Sequence, residues 1–122
     1  MLKQEGYDLM GAAFEVYNVL GYGMAEEIYQ QSLEIELGLR SIPYQSKEDI
    51  QVTYKGQTLT TVYRPDLLVF GELVVELKAV KTLAPEHEAQ LFNYMRISQK
   101  KVGYLINFGD SNELEWKRFA LW

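Results

Sequence analysis

Tyr63-Arg64-Pro65-Asp66-Leu67-Leu68-Val69-Phe70-Gly71-Glu72-Leu73-Val74-Val75-Glu76-Leu77-Lys78-Ala79-Val80 reads as two strands folded about one tight turn. Tyr63 to Phe70 and Leu73 to Val80 are rich in β-branched and large apolar residues, and Gly71 lies between them, which is the pattern of a β-hairpin. A three-residue loop centred on Gly71 pairs Val69 with Leu73 and sets Asp66 directly across from Glu76. A two-residue loop would send the two carboxylates to opposite faces. We take the first register. Side chains alternate along a strand, so Glu76 and Lys78 share a face while Leu77 points the other way. Like charges facing each other in a sheet are destabilising, and burial adds to the cost, unless a proton or a cation compensates. A metal is the simplest compensation and Lys78 is a second. Two carboxylates and a lysine so placed are the minimum set for holding a divalent ion against a phosphodiester.

Upstream, Leu9, Ala13, Val16, Tyr17 and Leu20 give residues 3–20 helical spacing, which Gly21 and Gly23 interrupt. A second helix over about residues 25–38 carries Ile28, Leu33, Ile35 and Leu37 and stops at Gly38. Glu26 lies in its first turn, where the helix dipole favours an acid whatever else it does. Tyr29, on roughly the same face, is placed to bond Glu26 or simply to pack. Tyr44 to Tyr54 alternates as a strand, and Lys55-Gly56 turns it into Thr58 to Val62. Pro85 opens a helix that runs to about Ser98, with Glu86, Gln90 and Tyr94 stacked on one face. His87 reads as a surface residue at that helix start. Val102 to Phe108 and Leu114 to Leu121 are two further strands. Trp116 and Trp122 read as packing or interface residues, since nothing near them in sequence suggests a groove for a single strand.

The expected fold class is α/β. Two helices precede an antiparallel three-strand meander, a crossover helix and two more strands. The Val102 strand should run parallel to the Glu76 strand through a right-handed crossover, giving a mixed sheet. The helix over residues 85–98 should cover the carboxylate face or its edge.

At 122 residues, one domain over 1–122 is expected. No apolar run approaches the ~18 residues that cross a bilayer, and the N-terminus lacks a basic-then-apolar pattern, so the expected location is cytoplasmic. Without cysteine and with one histidine, any metal must be oxygen-bound, which favours Mg²⁺ or Mn²⁺. The net charge of -5 opposes contact with a polyanion, although local arrangement outweighs the total. Lys78, Lys81, Arg96, Lys100 and Lys101 offer a basic rim, with a solvated helix face the plainer reading of Arg96, Lys100 and Lys101. Small size and terminal aromatics point to a homodimer.

Five runs together resemble one family. Gly23-Met24-Ala25-Glu26-Glu27-Ile28-Tyr29, Tyr63-Arg64-Pro65-Asp66, Glu76-Leu77-Lys78-Ala79, His87-Glu88-Ala89-Gln90-Leu91 and Leu105-Ile106-Asn107-Phe108-Gly109 stand in the order found in the PD-(D/E)XK nuclease superfamily. More narrowly, they are similar to its small bacterial and archaeal members named for a GxxExxY motif. The resemblance spans nearly the whole chain, and it is the ordered set that is specific. It implies a restriction-endonuclease-like core and metal-dependent cleavage of phosphodiester bonds, most readily in DNA. In that reading Asp66, Glu76 and the Leu77 carbonyl bind one or two Mg²⁺ ions, Glu26 completes the shell, and Lys78 orients the water or stabilises developing charge. Gln90-Leu91-Phe92-Asn93-Tyr94 is similar to a Q-x-x-x-Y element of related nucleases, which implies that Gln90 and Tyr94 touch substrate or the surroundings of the lysine. The alternative is a nucleic-acid-binding or assembly module that keeps the fold without cutting. Hydrolysis of a small phosphate compound is a third reading, suited to the negative charge.

Overall fold

The computed structural model describes residues 1–121. Trp122, expected as a packing or interface residue, therefore lies outside the described residues. The chain forms helices α1 (Lys3–Leu20) and α2 (Glu26–Leu39), strands β1 (Tyr44–Ser46), β2 (Ile50–Tyr54), β3 (Gln57–Tyr63), β4 (Leu67–Val69) and β5 (Leu73–Lys78), helix α3 (Pro85–Ser98), and strands β6 (Val102–Asn107) and β7 (Glu115–Ala120). Five strands make a mixed sheet in the order β1-β4-β5-β6-β7, and β2 and β3 form a separate two-stranded ribbon. Within the sheet only β5 and β6 are parallel, joined by the α3 crossover.

Alternation along the strands divides the core in two. Leu67, Val69, Leu73, Val75 and Leu77 face α1 and α2, packing with Leu9, Ala13, Leu33 and Leu37. Leu68, Val74 and Leu105 face the other way, against Leu91 and Met95 of α3 and Val52 and Tyr63 of the ribbon. The expected α/β mixed sheet flanked by helices is what forms. All six residues of β6 are buried, as befits a strand covered on both faces. Gly103 lets α3 seat closely, because a Cβ there would lie 2.5 Å from the Met95 sulfur.

Three boundaries differ from the sequence expectation. The hairpin about Gly71 has the anticipated register, Val69 with Leu73, but its first strand begins only at Leu67. Tyr63 belongs instead to β3, in the ribbon. Pro65 explains the break, since it has no N–H for a ladder and restricts Arg64 before it. The single strand expected from Tyr44 to Tyr54 is likewise two, with Lys47 between them at φ 51°. There is thus no three-strand meander: β1 pairs with β4, and the ribbon folds over the α3 face. Gly38 does not end α2, which runs to Leu39.

Candidate active site

The last hairpin pair is Leu67 with Val75, so the next step in register sets Asp66 opposite Glu76 at the mouth of the sheet. Asp66 is held at both ends. Its carbonyl accepts from Gln30 Nε2 at 2.9 Å and from the Lys47 amide at 3.2 Å, while its Oδ2 accepts from the Leu77 amide at 2.8 Å. Glu76 Oε1 accepts from the Tyr63 hydroxyl at 2.7 Å, and the Tyr63 ring stacks on Tyr94 of α3 at 4.3 Å between centroids. Burial, then the facing Asp66 carboxylate, pushes the Glu76 carboxyl up to about 7; the Tyr63 hydroxyl, the Asp66 amide and Lys78 pull the other way. The same burial and the nearby Glu76 raise the Tyr63 hydroxyl well above its ordinary range.

Glu76, Lys78, Tyr63, Gln90, His87 and Tyr94 line one cavity of about 250 Å³ under α3. The helix over residues 85–98 does cover the carboxylate face. Glu26 stands exposed beside this mouth at the start of α2; partial burial and the Asp66 charge raise its pKa, against the pull of Lys78 and Lys47. Among the described residues no three acidic or imidazole side chains close into a ready metal cage. Asp66 and Glu76 nonetheless fit a hard divalent ion. They are two facing carboxylates, one of them holding a proton that a cation would displace, and carboxylate oxygens suit such an ion. The Leu77 side chain is buried in the opposite core, so only its backbone can contribute.

A family model for the PD-(D/E)XK nuclease superfamily matches residues 3–119. The chain belongs to that superfamily. Its members are generally phosphodiesterases acting on nucleic acid. The crystal structure of SSO0001 is similar at a TM-score of 0.58 and 16% identity, over 98% of this chain and 59% of that one. That likeness is one of fold, and this chain spans less than two thirds of the other's length. No curated protein matches.

Several contacts around this mouth were not legible from the sequence. Tyr63, which opens the Tyr63-Arg64-Pro65-Asp66 run but has no role assigned by it, bonds Glu76 directly. Gln30 is buried and divides its amide between Glu34 and the Asp66 carbonyl, fixing α2 to the Asp66 loop. Tyr29 does not bond Glu26. It is buried, stacks on Phe108 at 4.6 Å, donates to the Gly21 carbonyl at 2.6 Å and accepts from the Met24 amide at 3.2 Å, so it shapes the turn that presents Glu26. His87 does more than face water. Its Nδ1 accepts from the Ala84 amide at 3.1 Å, which places the ring proton on Nε2. Asn107, fully buried, bonds Val80 through both backbone groups, and also the Gly109 amide and Glu115, pinning the chain that leaves Lys78.

Two members of the expected basic rim lie away from this mouth. Val102 pairs with Leu73 and Asn107 with Lys78, so Lys100 and Lys101, ahead of β6, stand roughly 16 Å away along the strands. Arg64 lines the cavity but is paired with Asp49 at 2.6 Å, and Lys47 with Glu27 at 3.5 Å. Lys78 lines the cavity and has no ion pair among the described residues.

Proposed function

We propose that the chain is a metal-dependent nuclease of the GxxExxY group, hydrolysing phosphodiester bonds in DNA, with Asp66, Glu76 and the Leu77 carbonyl holding Mg²⁺ or Mn²⁺ and Glu26 reaching it directly or through water. The observation that carries this reading is the facing Asp66–Glu76 pair, in which burial and like charge hold the Glu76 carboxyl at about 7. Such a pair is costly to keep in a fold that does not use it. A divalent ion bound there supplies polarisation of the phosphoryl oxygen and a more acidic water. Lys78, an ammonium and therefore no metal ligand, stabilises charge developing on the phosphate or orients the attacking water. Tyr63 fixes the Glu76 carboxylate, and Gln30 with Lys47 fixes Asp66. Gln90 and Tyr94 line the space in which a nucleotide would lie.

A non-cleaving module is favoured by one observation, the shortage of unpaired cations at the mouth in a chain of net charge -5. Incubation with Mg²⁺ or Mn²⁺ on linear, nicked and branched DNA separates the two readings. Cleavage that disappears with chelator is expected; binding without cleavage under every metal condition establishes the module instead. The proposed chemistry is complete within one chain, so a homodimer is a separate matter, decided by mass in solution.

A further inference from the structure

A second group of cations lies on the opposite face of the sheet. There α1 and β7 border a cavity of about 580 Å³, within the size range of small-ligand sites. Its walls are Tyr7, Phe14 and Trp116, which are 76%, 40% and 41% exposed and so lack any cover. Its floor is Tyr104, whose ring lies 6.2 Å from that of Trp116. Two glycines of α1 make the floor possible. A Cβ on Gly6 would fall 1.8 Å from the Tyr104 hydroxyl, and one on Gly11 would fall 3.1 Å from the Arg40 guanidinium.

Charge in this groove opposes that of the molecule. Lys3, Arg40 and Arg118 line it with only Asp8 against them, in a chain of net charge -5. Arg40 is paired with Glu36 at 2.8 Å. Arg118 donates to the Tyr104 hydroxyl at 3.2 Å and to the Met1 carbonyl, both neutral, so its charge is uncompensated. Lys3 has no ion pair among the described residues. The N-terminal end of the α1 dipole adds positive potential at the same rim. A helix face built for a second copy about a two-fold axis would set these cations against themselves. Exposed rings beside unneutralised cations instead suit a ligand that is aromatic at one end and anionic at the other.

We propose that this groove is a second binding site, separate from the catalytic mouth, for a phosphorylated nucleoside, its base against Trp116 and Tyr7 and its phosphate against Lys3 and Arg118. The ligand is either a free nucleotide or the end of a strand. Trp116 thus has the companions its sequence neighbourhood did not reveal.

The test uses the full chain with chelator, so that no cleavage enters and failure of the nuclease reading leaves it intact. Deoxyadenosine monophosphate and a 5′-phosphorylated oligodeoxyadenylate are titrated separately while the Trp116 indole and the Gly6 and Gly11 amides are followed by NMR. Saturable shifts at these three groups are expected with at least one probe, the tighter probe identifying the source. Adenosine without phosphate should bind about tenfold more weakly. Tyr7→Ala and Lys3→Gln, both on exposed side chains that the fold does not need, should each weaken binding about threefold or more. Shifts confined to the Glu76 cleft, no saturation, equal binding of adenosine, or unchanged affinity in both variants would overturn the proposal. So would a doubling of mass that Tyr7→Ala abolishes, which would give the groove to a second copy.

Discussion

Glu76 keeps a proton that an exposed glutamate gives up, and the Tyr63 hydroxyl limits how far that goes by bonding the charged form. Tyr63→Phe keeps the ring on Tyr94 and removes only that donor. The Glu76 carboxyl should then titrate at still higher pH, moving the acid limb of the pH–rate profile upward and lowering cleavage at neutral pH about threefold or more. An unmoved limb would detach Glu76 from the rate. Lys78→Ala should act differently, costing about a hundredfold in cleavage while Mn²⁺ still raises the melting temperature, because the lysine is no ligand. The spacing of Asp66, Glu76 and Lys78 was legible because a strand's period of two fixes faces once register is known. Tyr63 was not, because its contact with Glu76 joins two separate sheets, and no periodicity reports which ribbon folds over which face.

At the scale of elements, three helices and the parallel β5–β6 pair could be read from apolar spacing and from the proline and glycine punctuation. The meander could not. Pro65 and Lys47 divide two apparent strands, and which fragment joins which sheet follows from the burial available on each side of β5 rather than from local propensity. The segment after Lys78 is likewise a tertiary construction. Asn107 closes it with hydrogen bonds to Val80, Gly109 and Glu115, and a Cβ on Gly109 would meet the Val80 carbonyl oxygen at 2.2 Å. Asn107→Ala leaves buried partners unsatisfied and should cost about 2–4 kcal/mol in urea unfolding. Gly109→Ala should destabilise as well, since the obstacle is backbone. Full stability in both variants would show that the strand end is held by other contacts.

For the molecule as a whole, the carboxylate pair makes stability depend on pH in a stated direction. The folded chain holds the Glu76 proton up to about 7, against an ordinary value of 4.5. Between those values the native state binds more protons than the unfolded one, so this group's contribution is fully present below 4.5 and is lost as pH rises through about 7. Metal-free protein should therefore melt lower at pH 8 than Glu76→Gln predicts from its own pH 5 value, and Mg²⁺ should restore more at pH 8 than at pH 5. The acidic total says nothing of where the cations stand; that Lys3, Arg40 and Arg118 share one groove follows from how α1 and β7 border it, which composition does not encode.

The central claim is that Asp66 and Glu76 hold the ion that cuts. Single-turnover cleavage of linear DNA in Mn²⁺ tests it most directly, comparing the parent chain with Asp66→Asn purified alongside and confirmed folded by circular dichroism. The account predicts cleavage by the parent, none above background by Asp66→Asn, and no Mn²⁺-induced rise in melting temperature for the variant. Asp66→Asn that cuts at the parental rate would contradict it.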